Sequence, residues 1–464
     1  MMILFRDVYH LATMNDAGER LSNVNVLVDG PRIIEVGPGI AAPEGTRIID
    51  CSTMLMLPGL VNLHHHFYQT LQRNVPPAQN RKLFDWLTTL YDIWANLSVD
   101  AIRASTRLAC AELLLTGCTM TSDQMYVFPS GIGTELIDVE IEAAAGLGIR
   151  FHPTRGSMSR GRSEGGLPPD GVVQTADEIL ADSERLIDAY HDPEPFAMTR
   201  IALSPCSPFS VDADLMRDTA ALARQRGVLL HTHLAETEDE NEYCLKEYGV
   251  RPVALMESLD WVGEDVWFAH CVHLKEDELD LLAGTATGVS HCPTSNMRLS
   301  SGVARVPEML ERGAKVGLGV DGSASNDSSD MLGELRICLL AHLLTWGPRA
   351  ITADEIARMA TRGGASVLGR SEIGAIEPGM AADLALFDMS ALGYAGALSD
   401  PLAAIIYAGF DHRAAYTVVN GEIVVEEGRL VRASEEEIAA DGNEASRRML
   451  EAAGVDARWM RLRD

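Results

Sequence analysis

The stretch Pro58-Gly59-Leu60-Val61-Asn62-Leu63-His64-His65-His66 is an apolar run that ends in three consecutive histidines. Successive side chains of a β-strand point to opposite faces, so His64 and His66 share one face. His65 lies on the other face, as a packing or outer residue. Two imidazoles that converge at the end of a buried strand can bind one divalent metal ion. The run therefore predicts a strand with metal ligands at its C-terminal end.

Seven further apolar runs follow the first, and amphipathic segments separate most of them. The eight predicted strands cover residues 55–62, 118–125, 149–156, 199–206, 227–234, 266–273, 288–295 and 315–321. Helices are predicted between them at segments such as 101–115, 133–145, 213–225 and 277–282. Alternating strands and helices predict an α/β fold, a (β/α)8 TIM-like barrel, whose active site lies at the C-terminal ends of its strands.

The two ends of the chain share a different character from the middle. Asp29-Gly30 and Asn420-Gly421 each join two runs that are rich in β-branched residues, which is the pattern of β-hairpins. We therefore expect a small β-sandwich domain built from residues 1–58 and 376–464, and a catalytic barrel domain at residues 59–375. Ser434 and Glu437 have the spacing of a capping box and predict a C-terminal helix.

Composition limits the partners of the chain. Among 464 residues, 67 are Asp or Glu and 38 are Lys or Arg, which gives a formal net charge of -29 at pH 7. Such a charge repels nucleic-acid phosphates and anionic membranes, so we expect neither as a partner. No apolar run reaches the ~20 residues that span a bilayer, and the N-terminus lacks the basic segment of a secretory signal. The 8 cysteines contain no C-x-x-C pair, which predicts reduced thiols and a cytoplasmic location.

Two later strands end in histidines that are candidates for the same metal site. The fifth ends in His231-Thr232-His233, and both imidazoles face the same way, so alternation does not choose between them. His233 lies nearer the strand end and has Glu236 three residues on, within reach of an activated water, whereas His231 is expected deeper in the barrel. After the sixth strand His270 and His273 are alternatives, and strand length favours His270 as the group that orients water or polarises a substrate oxygen.

The eighth strand contributes Asp321, a carboxylate able both to bind a metal and to take a proton from water. His291 on the seventh strand is equally compatible with substrate contact and with core packing. The remaining histidines have no comparable neighbours and are assigned structural or surface positions: His10, His152, His191, His342 and His412. A metal beside a Glu is the arrangement that activates water, so the set predicts a metallohydrolase.

Several segments together resemble one known family. They are PGLVNLHHH, HTHLAET, AHCVHL, SHCPTSNMRLSSG and GVDGSASND within residues 55–330, and EPGMAADLALFD beyond them. The chain is similar to the amidohydrolase superfamily, in the branch of aromatic deaminases that use one metal ion. The resemblance implies that His64, His66, His233 and Asp321 hold one Zn²⁺ per subunit, and Fe²⁺ suits the same ligands. It also implies that Glu236 shuttles protons, that His270 positions the water and that the protein is a homo-oligomer.

Many relatives in this superfamily hold two metals bridged by a carbamylated lysine after the fourth strand. No lysine occurs in this chain between Lys82 and Lys246, a stretch that includes that strand. A site with a bridging lysine is therefore excluded, and one metal is expected.

The substrate class rests on the segment after the histidines. HHHFYQTLQR, followed by Leu83-Phe84-Asp85-Trp86-Leu87, is most similar to enzymes that deaminate 8-oxoguanine. Gln69 has the spacing of the amide that recognises the base in guanine deaminases, and an amide both donates and accepts hydrogen bonds. Cys206 and Arg155, after the fourth and third strands, are candidates for contact with substrate oxygens, with a buried thiol and a surface salt bridge as the alternatives.

The expected reaction is the hydrolytic deamination of an oxidised purine, 8-oxoguanine first, to urate and ammonia. A second enzymatic interpretation is hydrolysis of another aminated heterocycle: isoxanthopterin, guanine, an adenosine-type substrate or an s-triazine. A third is a metal-binding relative without turnover. The complete set of candidate residues argues against the third, since loss of function would have removed at least one of them.

Overall fold

Strands occupy both ends and the middle of the chain in the computed structural model, which describes residues 2–408 and 412–460. In chain order they are β1 (Met2–Val8), β2 (His10–Ala12), β3 (Arg20–Leu21), β4 (Val24–Asp29), β5 (Arg32–Gly37), β6 (Arg47–Asp50), β7 (Met54–Pro58), β8 (Leu60–Asn62), β9 (Cys118–Met125), β10 (Arg150–Ser157), β11 (Ala202–Pro205), β12 (Leu229–Leu234), β13 (Val266–His270), β14 (Gly288–His291), β15 (Val316–Leu318), β16 (Leu384–Asp388), β17 (Tyr416–Val419), β18 (Glu422–Glu426) and β19 (Arg429–Leu430).

Helices follow most of the middle strands. They are α1 (Leu83–Trp94), α2 (Val99–Leu115), α3 (Leu136–Leu147), α4 (Ala176–Tyr190), α5 (Ala213–Arg226), α6 (Glu238–Tyr248), α7 (Pro252–Ser258), α8 (Glu276–Gly284), α9 (Pro293–Arg298), α10 (Val306–Glu311), α11 (Ser323–Asn326), α12 (Met331–Trp346), α13 (Ala353–Arg358), α14 (Gly364–Val367), α15 (Pro401–Tyr407) and α16 (Glu435–Ala452). Short 3-10 turns lie at Phe67–Gln72, Pro76–Ala78, Arg162–Glu164, Asp170–Val172, Leu392–Tyr394 and Arg458–Met460, and one π-helical turn at Met359–Gly363.

The middle strands close into a parallel barrel, so the predicted fold class is confirmed. The order around the barrel is β10-β11-β12-β13-β14-β15-β8-β9. Each of the eight predicted strands has its counterpart among these, and the predicted helices overlap α2, α3, α5 and α8. Because the strands are parallel, their C-terminal ends meet at one mouth of the barrel.

The first predicted strand, 55–62, is two strands in the structure. β7 pairs antiparallel with β16 in a terminal sheet, whereas β8 pairs with β9 and β15 in the barrel. Gly59 separates them, and a Cβ at this position would lie 2.0 Å from Thr119 Oγ1. The absence of a side chain at Gly59 therefore lets the chain pass from one sheet to the other against β9.

The strands from the two termini form two packed sheets. One has the order β5-β4-β1-β6, and the other has the order β19-β18-β17-β16-β7-β2-β3. Leu384 and Leu386 of β16 belong to the core between the sheets, whereas Ala385 and Phe387 belong to the core shared with the barrel. This period-2 alternation makes the seven-stranded sheet the layer that joins the sandwich to the barrel.

The predicted division at residues 1–58, 59–375 and 376–464 stays a prediction, and its outermost residues, 1 and 464, lie outside the described part. The predicted C-terminal helix is present as α16, where Ser434 Oγ accepts a hydrogen bond from the Glu437 backbone N–H at 3.2 Å. This helix packs on α2 of the barrel. All eight cysteines are buried free thiols. Within the described residues, no helix is both long enough and apolar enough to cross a membrane.

Candidate metal centre and active site

The barrel mouth brings together side chains from four strand ends. His64 and His66 follow β8, His233 lies on β12, His270 ends β13, and Asp321 follows β15. One ligand atom from each of His64, His66 and His233 lies within 4.8 Å of the other two, and the same holds for His64, His270 and Asp321. All five side chains are buried or nearly so. His64 and Asp321, which are 257 positions apart in the chain, thus belong to one cluster.

Backbone strain concentrates at these strand ends. His270 has φ 73°, Asp321 has φ 63° and Ala235, between His233 and Glu236, has φ 52°. Residues other than glycine rarely adopt this left-handed region, and strain of this kind clusters at functional sites. The backbone also packs closely here, because a Cβ at Gly319 would lie 2.8 Å from His64 Cβ and glycine leaves that space free. The local backbone therefore turns these side chains toward the mouth at an energetic cost.

Hydrogen bonds to the backbone determine the tautomers of His66 and His233. His66 Nδ1 donates to the Gln124 carbonyl at 2.9 Å, and His233 Nδ1 donates to the Cys206 carbonyl at 2.6 Å. A carbonyl oxygen only accepts, so each Nδ1 carries the ring hydrogen. In the neutral rings both Nε2 atoms therefore carry lone pairs.

The tautomer of His64 is determined by a hydrogen bond to a second histidine, His231. His231 Nδ1 donates to the Trp267 carbonyl at 3.0 Å, so His231 Nε2 accepts from His64 Nδ1 at 2.8 Å. His64 Nε2 therefore carries a lone pair, and this atom has no hydrogen-bond partner among the described residues. His231 thus lies behind His64 and orients it, whereas His233 lies beside His66.

The lone pairs meet in one place. The Nε2 atoms of His66 and His233 are 3.1 Å apart with no hydrogen between them, and Asp321 Oδ1 lies 3.4 Å from His64 Nε2 and 3.3 Å from His66 Nε2. Burial lowers the pKa of all three imidazoles, which keeps them neutral. Facing lone pairs repel each other unless a cation lies between them. Three imidazole nitrogens and one carboxylate are a donor set that Zn²⁺ accepts, so these residues fit one divalent metal ion.

An acid–base pair lies beside this cluster. His270 Nε2 is 3.6 Å from Glu236 Oε2 and 3.9 Å from Asp321 Oδ2. Burial raises the pKa of Glu236. Burial by itself lowers the pKa of His270, but the carboxylates of Glu236 and Asp321 outweigh it and raise that pKa. Asn296 Oδ1 accepts from His270 Nδ1 at 2.8 Å and so holds the ring with Nε2 toward the carboxylates. The mouth can therefore hold and pass protons.

Glu240 supports the turn that carries Glu236. Its two carboxylate oxygens accept the backbone N–H groups of Ala235 and Glu236 at 2.8 Å and 2.9 Å. Burial raises the pKa of Glu240 to about 7. Glu240 was not predicted from the sequence, although its position four residues after Glu236, near the start of α6, is a signal for such a role.

A cavity opens directly onto the cluster and is lined mainly by apolar and aromatic side chains. Three lining residues carry a buried polar atom without a partner in the described structure: Gln69 Oε1, Trp86 Nε1 and Tyr91 Oη. The full lining is His66, Gln69, Leu83, Trp86, Leu87, Tyr91, Tyr126, Cys206, Phe209, His233, Glu236, His270, Leu299, Asp321 and Ser325. A mostly apolar slot with a few polar atoms available is typical of a site for a small planar molecule.

The predicted residues Gln69 and Cys206 line the cavity, whereas Arg155 does not. Arg155 Nε pairs with Asp182 at 2.7 Å and its Nη2 donates to Gln174 at 2.8 Å, so this guanidinium is engaged inside the barrel wall. His273 is likewise engaged, with Glu238 at 2.9 Å. Three further lining residues were not predicted from the sequence, because nothing local indicates that they lie over the mouth: Tyr91, Tyr126 and Phe209.

Comparisons with known proteins agree with this geometry. A model of the amidohydrolase family matches residues 55–424. 8-Oxoguanine deaminase of Pseudomonas aeruginosa is 47% identical over 406 residues, 87% of this chain and 90% of that protein. Hydroxydechloroatrazine ethylaminohydrolase of Pseudomonas sp. (strain ADP) is 36% identical over 461 residues, 96% of this chain and 95% of that protein. The crystal structure of atrazine chlorohydrolase from Arthrobacter aurescens complexed with zinc matches with a TM-score of 0.92 at 36% identity, over 96% of this chain and 100% of that chain.

Proposed function

The chain belongs to the amidohydrolase family and is a metal-dependent deaminase of aminated heterocycles, and we propose that its substrate is 8-oxoguanine, which it converts with water to urate and ammonia. The observation that carries the proposal is the set of converging lone pairs beside Glu236, which opens onto an aromatic-lined cavity. The finer choice of substrate is supported by the 47% identity to 8-oxoguanine deaminase of Pseudomonas aeruginosa, against 36% for the ethylaminohydrolase.

We assign His64, His66, His233 and Asp321 as the ligands of one Zn²⁺ ion. When bound, such an ion lowers the pKa of water toward neutrality and acts as a Lewis acid. The residues themselves contribute their preset tautomers, because the hydrogen bonds of each Nδ1 leave Nε2 free to bind. Asp321 supplies the anionic donor of this set, because its Oδ1 lies 3.4 Å from His64 Nε2 and 3.3 Å from His66 Nε2.

Three side chains hold the water and transfer protons: Asp321, His270 and Glu236. Asp321 Oδ2 and His270 Nε2, 3.9 Å apart, hold the attacking water, and Asp321 accepts its proton. Glu236, whose raised pKa favours the protonated form, gives a proton to the ring nitrogen next to the carbon under attack. A carbon–oxygen bond forms at the carbon that bears the amino group. Asp321 passes the proton that it took to the exocyclic nitrogen, and the bond from that nitrogen to carbon breaks. Ammonia leaves as the new hydroxyl returns its proton to Glu236 and becomes the carbonyl.

Recognition of the base is assigned to the unpaired polar atoms of the cavity. Gln69 Oε1 accepts from a ring N–H, while Trp86 Nε1 and Tyr91 Oη can donate to ring oxygens. Cys206 contributes a neutral surface, since burial raises the pKa of its thiol to about 12. An oxidised purine offers both N–H groups and carbonyl oxygens at its edge, so it satisfies these atoms together.

Purified protein reconstituted with Zn²⁺ tests the proposal. Initial rates are followed by ultraviolet absorbance and by ammonia release with 8-oxoguanine, guanine, isoxanthopterin, adenosine and an amino-substituted hydroxytriazine. We expect the highest kcat/KM with 8-oxoguanine and the formation of one urate per ammonia. A higher kcat/KM with any other member of the panel would overturn the choice of substrate, and no ammonia from any of them would overturn the enzymatic assignment.

The proposal includes a homo-oligomer and a cytoplasmic location. Leu340 and Leu344, four residues apart on one face of α12, are 45% and 86% exposed, and a contiguous exposed apolar surface is typical of contact regions between subunits. Light scattering coupled to gel filtration measures the mass directly. A mass of one chain at micromolar concentration would contradict the oligomer.

A further inference from the structure

A second cluster of metal-binding side chains lies outside the barrel, between β14 and α12. One nitrogen or sulfur atom from each of His291, Cys338 and His342 lies within 4.8 Å of the other two. All three residues are completely buried. None of them belongs to the barrel mouth, and the proposed reaction uses none of them.

Regular secondary structure explains how the three side chains meet. Cys338 and His342 are four residues apart on α12, so they lie on the same face of the helix. On β14, Ser290 points into the barrel, because a Cβ at Gly319 would lie 2.5 Å from Ser290 Oγ. The next residue, His291, therefore points outward to α12. The rings of His291 and His342 have centroids 5.1 Å apart at an interplanar angle of 81°.

Some buried nitrogen atoms of this cluster have no hydrogen-bond partner among the described residues. His342 Nδ1 donates to the Cys338 carbonyl at 2.7 Å, which leaves a lone pair on Nε2 of the neutral ring. Both ring nitrogens of His291 have no partner among the described residues. The Cys338 sulfur lies 3.8 Å from His342 Nδ1. A buried polar atom without a partner costs about 1–3 kcal/mol, and native proteins satisfy nearly all of them. Two such atoms in the same cluster as the Cys338 thiol point to something that binds there.

We propose that His291, Cys338 and His342 form a second metal site, which binds one Zn²⁺ ion through two imidazole nitrogens and the Cys338 sulfur. Nitrogen and sulfur donors suit Zn²⁺, whereas Mg²⁺ and Ca²⁺ require oxygen ligands. The thiol loses its proton to solvent as the sulfur–zinc bond forms, so the ion and its three ligands carry one positive charge.

The site has a structural consequence, because it joins a barrel strand to a helix on the outer layer. Binding energy of an ion held only by the folded protein adds to the free energy of unfolding. The site is independent of the proposed reaction. An experiment that contradicts the second metal site therefore leaves the proposed reaction untouched, and the reverse also holds.

Elemental analysis of the full-length protein after expression in zinc-supplemented medium gives the first test. We expect two zinc equivalents per chain in the unaltered protein, one in Cys338→Ala, and two in the matched control Cys110→Ala, which removes another buried thiol on a barrel helix. The equivalent retained at the barrel mouth shows that the variant is folded. One equivalent in the unaltered protein, or an unchanged content in Cys338→Ala, would overturn the proposal.

Cobalt substitution gives a second test that does not depend on counting. A thiolate bound to Co²⁺ produces a charge-transfer band in the near ultraviolet, and the assigned ligands at the barrel mouth include no thiolate. We expect the band in the cobalt-loaded protein and in Cys206→Ser, and its loss in Cys338→Ala. His342→Ala keeps the thiol but removes one ligand, so the band should shift or weaken. Absence of the band in the unaltered protein, or its persistence in Cys338→Ala, would contradict the site.

Discussion

Gly322 packs directly against the side-chain amide of Gln69: a Cβ at position 322 would lie 2.1 Å from Gln69 Oε1. The backbone at Gly322 has φ -68°, which any residue can adopt, so the contact alone excludes a larger side chain. The glycine beside Asp321 therefore determines where the amide proposed to recognise the base is held.

Gly322→Ala should impair binding by displacing Gln69. Loss of one hydrogen bond of about 1.4 kcal/mol raises KM about tenfold, with a smaller effect on kcat. Gln69→Ala should produce the same change, and Gly146→Ala, whose added Cβ meets nothing within 4 Å, should produce none. Steady-state kinetics with 8-oxoguanine measure the effect. An unchanged KM in both Gly322→Ala and Gln69→Ala would contradict the proposed role of the Gln69 amide in recognising the base.

Glu236→Gln should abolish most turnover without loss of metal. The amide has nearly the same shape but cannot donate and recover a proton, so kcat should fall by about 10²- to 10⁴-fold. Zinc content by elemental analysis should stay equal to that of the unaltered protein, because Glu236 is not among the assigned ligands. Full activity in a zinc-loaded Glu236→Gln protein would falsify its role in proton transfer.

Glu240→Gln should weaken catalysis through the position of Glu236. The amide keeps one acceptor oxygen and loses the other, so one of the two buried N–H groups of Ala235 and Glu236 becomes unpaired, at a cost of about 1–3 kcal/mol in stability. We expect a lower kcat with unchanged KM and zinc content. Glu242→Gln, on the exposed side of the same helix, is the matched control. If the two variants behave alike in urea unfolding and in kcat, Glu240 is not a positioning residue.

Removal of metal should destabilise the barrel mouth. Without an ion, the Nε2 lone pairs of His66 and His233 face each other at 3.1 Å, and the binding energy of the ion is lost from the folded state. Dialysis against a chelator should lower the melting temperature and remove activity, and Zn²⁺ should restore both. In His233→Ala the chelator should change the melting temperature much less. An equal shift in that variant would contradict the assigned ligand set.

Stability should depend on pH through Glu140, which lies on α3. Burial raises the pKa of this carboxyl well above its usual value of 4.5, and neither oxygen has a hydrogen-bond partner among the described residues. The folded state therefore keeps the proton while the unfolded state loses it, so this contribution to stability is lost as pH rises above 4.5, by up to about 1.4 kcal/mol per pH unit.

Glu140→Gln removes that titration. The variant should gain stability relative to the unaltered protein as pH rises from 5 to 8, as measured by urea unfolding at each pH. Glu142→Gln, two residues along the same helix with its side chain 69% exposed, should show no such trend. A constant difference between Glu140→Gln and the unaltered protein across that range would mean that the carboxyl is ionised in the folded state.

Much of the fold could be predicted because its signals are local. Each barrel strand is a short apolar run, and each is followed by a turn or helix that the residues themselves indicate. The predicted 288–295 strand ends at His291, before α9, and Gly59 divides the predicted 55–62 strand between two sheets. That division depends on contact with Thr119 of β9 and on pairing with β16, more than 300 residues away, so no window along the chain contains it.

By itself, the order of residues determined which imidazoles and carboxylates stand at strand ends, and the absence of lysine between Lys82 and Lys246 excluded a bridging lysine. Only the tertiary structure separates His231 from His233, because His231 Nε2 accepts from His64 Nδ1, whereas His233 Nε2 faces His66 Nε2. The tertiary structure also pairs Arg155 with Asp182 in the barrel wall. It places Trp86 and Tyr91 of α1 in the lining of the cavity at the barrel mouth. Alternation along a strand is a local property of the backbone, whereas hydrogen-bond partners and cavity walls come from distant segments that meet only when the chain is folded.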